Sequence, residues 1–441
     1  ATGARGHMSA HVSHATMLAV VMPRPIAREP CGRVRASVPK RAPLRPMAIR
    51  SEKARAPNFR FRALAGDAPE SNIVPSPSDA PELGPLKPTE TLKLAVFSTS
   101  SYMRHTQTPV IEEAFGAGNV RWFDVGLTPQ TAPLAAGCNA TCLFVNDRAD
   151  AETIDVLADL GVRFIAMRCA GFDRVDLDAC ARRGVAVTRV PAYSPYAIAE
   201  HAIAMMLALN RQLMKGHARV TQGNYSLSGL VGFDMHGKTV GIVGTGKIGR
   251  CAAKILLAMG CEVLAYDVFQ SKEAIAMGVE YVDTVEELLP RCHIVSLHCP
   301  LTDDTHHLMH DATFDLMRRG SMLVNTSRGG LVDTAALARA LDAQKIACVA
   351  MDVYEHEAGL FFEDKSEETD ATPGSSLSPD WDLSLGSLAS RPNALVTSHQ
   401  AFLTAEALGN IATTTVENLR EFAGGGGAGE GGAYVNEAVG H

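Results

Sequence analysis

The chain has 441 residues, 46% of them hydrophobic and 20% charged, a globular composition too long for one ordinary core, so two domains are expected. The net charge of −7 is unevenly spread: residues 1–62 carry 13 Lys and Arg against only Glu29 and Glu52, about +11, which leaves about −18 on the remainder. An acidic body argues against a nucleic-acid partner, and the absence of an apolar run long enough to span a bilayer argues against a membrane one.

The basic head is rich in Ala, Arg and Pro and poor in acids, a targeting composition rather than a folding one. Residues 1–62 are expected to be an organelle transit peptide, with the chloroplast preferred and the mitochondrion as the alternative. Residues 63–91, rich in Pro, Ser, Asp and Glu, are expected to be a linker. The ten cysteines show no paired Cys-x-x-Cys spacing, so no metal site is expected and most read as small buried hydrophobes.

Strands are then expected at Leu92–Phe97, Val120–Phe123, Cys142–Val145, Val162–Met167 and Val185–Val190, with helical patterns between them such as Ala151–Leu160. That alternation predicts a parallel α/β sheet. Ile198–Asn210 is apolar nearly all round and predicts a buried connecting helix. A second series of strands follows at Thr239–Val243, Glu262–Tyr266, Tyr281–Val282, Ile294–Leu297, Ser321–Val324, Cys348–Met351 and Ala394–Thr397. A helix is expected at Thr404–Phe422, and the glycine run 424–432 is expected to be a flexible tail.

The strand Val240–Val243 enters Gly244-Thr245-Gly246-Lys247-Ile248-Gly249. In a G-x-G-x-x-G turn the first glycine makes the bend, the second admits a pyrophosphate, and the third lets the helix pack against the sheet. The helix N-terminus then offers free N–H groups to the phosphates. Asp267 stands 18 residues beyond Gly249 at the end of the next strand, where a carboxylate can take ribose hydroxyls and repel a 2′-phosphate. With strand, helix, strand and acid in register, the cofactor is expected to be NAD. The turn lies past the middle of the chain, so another domain is built before it.

Three later strand ends carry candidate chemistry, in the place where open α/β sheets bind ligands. Arg328 lies in Asn325-Thr326-Ser327-Arg328-Gly329, and a guanidinium fork can hold a carboxylate and polarise a keto oxygen. Asp352 closes a strand where it could contact the cofactor, and Glu357 follows in a loop. His399 follows a strand, reads as opening a helix, and is a candidate general acid–base. His201, His298, His306 and His307 read as structural helix, strand-end or loop residues.

Taken together, 168–179 (RCAGFDRVDLDA), 190–201 (VPAYSPYAIAEH), 244–249, 325–329, 351–357 (MDVYEHE) and 398–404 (SHQAFLT) resemble the D-isomer-specific 2-hydroxyacid dehydrogenases, in family order. The loops 361–366 (FFEDKS) and 227–233 (LSGLVGF) make the likeness closest to bacterial-type fermentative NAD-dependent D-lactate dehydrogenases. The resemblance implies two doubly wound parallel-sheet domains: a Rossmann nucleotide domain, 193–398, inserted into a flavodoxin-like substrate domain, 92–192 and 399–441. It implies that Arg328 binds the carboxylate and carbonyl of a small 2-keto acid, and that His399 donates the proton with Glu357 as its partner. It further implies that N–H groups at Ala170 and Gly171 hold the carboxylate while Tyr193 and Phe402 shape the pocket. Lys247 and Ile248 would lie at the pyrophosphate, Cys299 and Pro300 on the adenine side, and Thr326 and Asp352 beside the nicotinamide. The implied reaction is reversible reduction of pyruvate to D-lactate by a homodimer or homotetramer. A glyoxylate or hydroxypyruvate reductase and a non-catalytic NAD-sensing protein on the same fold are the alternatives. The chain departs from the family in its long N-terminal extension and in the segment 367–390.

Overall fold

The structure is a computed structural model that describes residues 90–357, 360–362, 382–424 and 433–434. The expected leader at 1–62, the linker except Glu90 and Thr91, and most of the glycine run lie outside the described residues. The first sheet contains β1 (Leu94–Val96), β2 (Val120–Trp122), β3 (Ala140–Leu143), β4 (Phe164–Met167) and β5 (Ala186–Arg189). They are parallel, in the order β2-β1-β3-β4-β5, a flavodoxin-like winding with its switch point between β1 and β3.

The second sheet contains β6 (Thr239–Val243), β7 (Glu262–Tyr266), β8 (Glu280–Tyr281), β9 (Ile294–Leu297), β10 (Ser321–Asn325), β11 (Ile346–Met351) and β12 (Ala394–Val396). Its order, β8-β7-β6-β9-β10-β11-β12, is parallel throughout. This is the Rossmann winding with one added strand, switching between β6 and β9. The chain therefore builds the first sheet, crosses to the second, and returns. A short strand, β13 (Ala433–Tyr434), pairs antiparallel with the edge strand β5, which the parallel expectation did not contain.

The central strands of both sheets, β1, β3, β4, β9 and β10, are buried on both faces, as strands covered by helices on each side must be. The buried helix is longer than its apolar run predicts, Pro195–Asn210, because Pro195 begins its first turn and the Ser194 side chain caps Ala197 N. Its Ala202, Ile203, Met206 and Leu209 pack with Ala252 and Leu256 of the helix Lys247–Ala258 and with Val240 of β6. Ala197 and Ile198 at its start pack with Ala401 and Ala407 of the returning segment. The last helix, Ala405–Gly424, lays Val416, Leu419 and Phe422 on the first sheet, where Phe422 stacks on Phe164 at 4.4 Å between centroids. Burying a side chain of that size contributes about 1.5–3 kcal/mol, so the return is held mainly by apolar packing.

Several strand bounds shift by one or two residues, as in β1, β4, β8 and β11, which starts at Ile346 rather than Cys348, and two more elements differ for identifiable local reasons. The strand expected at Cys142–Val145 runs Ala140–Leu143, because Val145 turns away from the ladder into the cleft between the sheets. Within 367–390, the helix Leu383–Ala389 forms behind Asp382, whose carboxylate caps Ser384 N and Leu385 N.

Candidate active site

A cleft of about 500 Å³ lies between the sheets. Its walls come from the C-terminal ends of strands: Phe144 and Val145 after β3, Arg168 to Asp173 after β4, His298 to Thr302 after β9, Thr326 to Arg328 after β10, Asp352 after β11, and His399 to Phe402 after β12.

The glycine turn is shaped by contacts that exclude side chains. Gly244 has φ +95°, and a Cβ there would sit 2.6 Å from Cys299 N; a Cβ on Gly249 would sit 2.0 Å from Gly244 O. Gly246 differs, because a Cβ there would meet open space. It begins the helix Lys247–Ala258 with no side-chain cap, whereas Asp150, Asp176 and Asp333 each cap theirs. Uncapped N–H groups facing an open cradle suit a pyrophosphate. Asp267 accepts from Thr245 N at 2.5 Å, Thr245 Oγ1 at 3.0 Å and Phe269 N at 3.0 Å, so the acid that ends the second strand also braces the turn. Ile248, Cys299, Pro300 and Thr326 line the cleft, and Thr326 Oγ1 is buried with no hydrogen-bond partner. An open glycine cradle and an orphaned hydroxyl on the cleft wall fit a dinucleotide. Lys247 is exposed and faces a separate shallow groove with Tyr196, Arg250 and Lys254.

Arg328 is held by its own turn. Asn325 Nδ2 donates to Arg328 O at 2.8 Å, and Ser327 Oγ donates to Cys299 O at 2.6 Å. Gly329 rests directly on the Tyr354–Glu355 peptide, where a Cβ would lie 2.0 Å from Tyr354 C. The guanidinium lies against Gly171 and donates through Nε to Asp173 at 3.3 Å, with 30% of the side chain exposed. Opposite it, Arg189 Nη1 donates to Ala170 O at 3.0 Å and Cys169 Sγ donates to Gly171 O at 3.1 Å. With those carbonyls tied back, no described group accepts from the N–H of Ala170 or Gly171.

His399 Nδ1 and Glu357 Oε1 are 2.9 Å apart, with side chains 16% and 18% exposed. Glu357 Oε2 accepts from Tyr354 N at 3.1 Å. His399 does not open a helix, contrary to expectation: the last helix starts six residues later, at Ala405, behind Thr404, whose Oγ1 accepts from Ala407 N. His399 instead occupies a turn at φ +54°, the left-handed region. Asp352 holds that turn. Its backbone carbonyl accepts from His399 N at 2.6 Å, and its fully buried carboxylate accepts from Thr397 Oγ1, Gln400 N and Ala401 N, with His201 Nε2 at 3.4 Å. Burial alone would raise the Asp352 pKa; the bonds from His201, Thr397 and the two N–H groups outweigh it and hold it below the usual carboxylate range.

Tyr193, Phe144, Phe402 and Phe362 form an aromatic wall, with Phe362 tilted on the His399 ring at 5.7 Å. Burial pushes the Tyr193 phenol, and the Cys169 and Cys299 thiols, up to about 12, so all three are neutral at physiological pH. His298, read from sequence as structural, lines the cleft, and burial pushes it down to about 4. Sequence reasoning gave no role to Arg168, which heads a quoted block, or to Arg189, which lies in the expected strand Val185–Val190; nothing in a linear pattern marks an arginine as inward-facing.

Residues 203–401 match the family model described as D-isomer specific 2-hydroxyacid dehydrogenase, NAD binding domain. The D-lactate dehydrogenase of Escherichia coli is 47% identical over 328 residues, 74% of this chain and 96% of that one. Among solved structures, the one titled as identifying the pyruvate reductase of Chlamydomonas reinhardtii is 46% identical with a TM-score of 0.72, covering 78% of this chain and 99% of that one. The D-lactate dehydrogenase of Aquifex aeolicus, solved with NAD and lactic acid, is 31% identical with a TM-score of 0.66, covering 76% and 96%. An open glycine cradle on a Rossmann sheet, identity of this extent and near-complete coverage of the relatives lead to one assignment: the chain belongs to the D-isomer-specific 2-hydroxyacid dehydrogenases and is an NAD-dependent oxidoreductase.

Proposed function

We propose that this enzyme reduces pyruvate to D-lactate with NADH, reversibly, in the cleft between the two sheets. One observation carries the reading: a guanidinium (Arg328), unpartnered N–H groups (Ala170, Gly171) and a carboxylate-backed imidazole (His399) all border one small space. Bound NADH supplies the hydride that the keto carbon accepts. Arg328 holds the substrate carboxylate and stabilises the negative charge that develops on the keto oxygen. Glu357 takes the Nδ1 side of His399, which leaves Nε2 to deliver the proton to that oxygen. Thr326 and Asp352 would flank the nicotinamide, Cys299 and Pro300 the adenine side, the first-turn N–H groups of Lys247 and Ile248 the pyrophosphate, with the Lys247 side chain in its separate groove, and Asp267 the ribose. Tyr193 and Phe402, against Phe144, limit the substrate to a short side chain.

We assign 92–192 and 399–441 to the substrate domain and 193–398 to the nucleotide domain. Pairing of two nucleotide domains into a dimer, or a tetramer built from it, suits the apolar arm on the helix Leu213–Thr221 and the loop after it, where Leu213, Met214, Val220, Tyr225, Leu227 and Val231 are all more than half exposed. The basic segment 1–62 is assigned as a plastid transit peptide, with the mitochondrion as the other destination; no described helix is long and apolar enough to cross a membrane.

The test is kcat/KM for pyruvate, glyoxylate, hydroxypyruvate and 2-ketobutyrate with NADH and NADPH, with chiral analysis of the product. Pyruvate as the best substrate with NADH and a D-configured product is the expected result. A higher value for glyoxylate or hydroxypyruvate would replace the assignment with the reductase alternative, and no turnover of any of them would remove it.

A further inference from the structure

Arg168 heads the fully buried side chains ranked by volume. It follows β4 and contributes to the wall of the cleft beside Cys169, Ala170 and Gly171. Every group it meets is neutral. Nη1 donates to Met103 Sδ at 2.8 Å and Gln107 Oε1 at 3.0 Å, and Nη2 donates to Phe97 O at 2.5 Å. Its Cζ lies 5.7 Å from the centre of the Phe144 ring, and its Nε has no partner. Among the described residues no carboxylate forms an ion pair with it. The buried carboxylate of the same lobe, Asp147, lies within the field of Arg168, but burial raises its pKa and its oxygens accept from Ser98 Oγ at 2.7 Å, Leu127 N at 2.7 Å and Phe144 N at 2.6 Å rather than from the guanidinium. Burying a charge without a direct ion pair is costly. In a low-dielectric wall its field is also poorly screened, so it favours any anion that enters the neighbouring space.

We infer that Arg168 is a buried positive charge of the substrate cleft beyond Arg328 and Arg189, an affinity determinant for the substrate carboxylate that acts through space while Arg328 makes the direct contact. The inference rests on the keto-acid reading of the cleft. Arg168 does not touch the reacting atoms. It lowers the free energy of the anion in the ground state and the transition state alike, so its effect falls on KM and leaves kcat largely unchanged.

Gln107 offers a test that preserves packing. It is 1% exposed and its amide oxygen already faces Arg168. Gln107→Glu places a carboxylate of the same shape on the guanidinium and neutralises it. The expected result is a rise on the order of tenfold in KM for pyruvate and in Ki for oxamate, a neutral-backbone pyruvate analogue carrying the same carboxylate. The value of kcat should stay within about threefold, with the Kd for NADH, read by fluorescence, and the thermal midpoint unchanged. Arg168→Lys, which keeps the charge, should hold Ki for oxamate within about threefold, whereas Arg168→Met should raise it as Gln107→Glu does. A folded Gln107→Glu variant with wild-type KM and Ki overturns the inference, as does an Arg168→Lys variant as impaired as Arg168→Met. Wild-type turnover in the same assay separates the two readings: a wild-type protein that neither reduces keto acids nor binds oxamate overturns the keto-acid reading as well.

Discussion

Gly329→Ala is the sharpest test of how the site is assembled. A Cβ at that position would lie 2.0 Å from Tyr354 C, 2.2 Å from Tyr354 O and 2.3 Å from Glu355 N, all backbone atoms. Ordinary carbon contacts begin near 3.5 Å, so the Arg328 turn and the 354–357 segment must part by more than about 1 Å. Neither side yields easily: Tyr354 is 2% exposed with its hydroxyl bonded to Asp382, and the Arg328 turn is braced on Asn325 and Cys299. A displacement of this size between catalytic groups can cost about 100-fold in rate, and overpacking costs about 1–3 kcal/mol. The expected result is a kcat/KM for pyruvate about 100-fold below wild type and a thermal midpoint several degrees lower. The Kd for NADH should change far less than kcat/KM, because the glycine cradle that would hold the pyrophosphate is on other strands, although Thr326 lies in the displaced turn. A variant that keeps kcat/KM within about threefold of wild type would refute the argument that this contact sets the spacing of Arg328 from the Glu357–His399 pair.

His399→Asn should leave the NADH Kd near wild type and lower kcat by roughly 100-fold to 10,000-fold in single-turnover kinetics; unchanged kcat would remove the proposed proton donor. Asp267→Ala should raise the KM for NADH on the order of tenfold and narrow the preference over NADPH, and a preference as wide as wild type would dissociate Asp267 from cofactor choice. His298 bears on acid stability: burial holds its folded value at about 4, below the ordinary histidine value of about 6.5, so the unfolded chain binds more protons between those limits. Stability should therefore fall as pH drops from about 6.5 to 4, by on the order of 2 kcal/mol from this group. His298→Asn should flatten that part of the denaturation profile, and an unchanged slope would show that the acid sensitivity lies elsewhere.

The sequence was most legible where burial is uniform. The strands Thr239–Val243, Glu262–Tyr266 and Ile294–Leu297 were expected at their observed bounds, because each is an apolar run closed by turn residues or a charged neighbour. The strand Ala140–Leu143 was displaced because Ala140 and Thr141 carry little apolar signal, although both are fully buried. Leu383–Ala389 was hidden by its Ser and Gly content, and the legible cue was the capping aspartate ahead of it. Arg328, Glu357 and His399 could be nominated singly, but only the fold brings positions 42 residues apart to a 2.9 Å contact. The local geometry of His399 was misjudged because what sets it is Asp352, which organises the turn through long-range bonds. Arg168 was not legible at all: a charged side chain predicts exposure, and only three-dimensional packing reveals one at 0%.

Arg328, Glu357 and His399 all rise from neighbouring strands of one sheet, β10, β11 and β12, whereas Phe144 and the segment from Arg168 to Phe172 belong to the other. The consequence is a division open to directed evolution. Substitutions confined to the smaller sheet's loops can enlarge or recharge the proposed substrate wall while the imidazole–carboxylate pair keeps its geometry. A library at Phe144, Val145 and Phe172 should therefore yield altered side-chain selectivity with the chemical step preserved, and equal diversity placed after β10 or β11 should yield mostly inactive proteins.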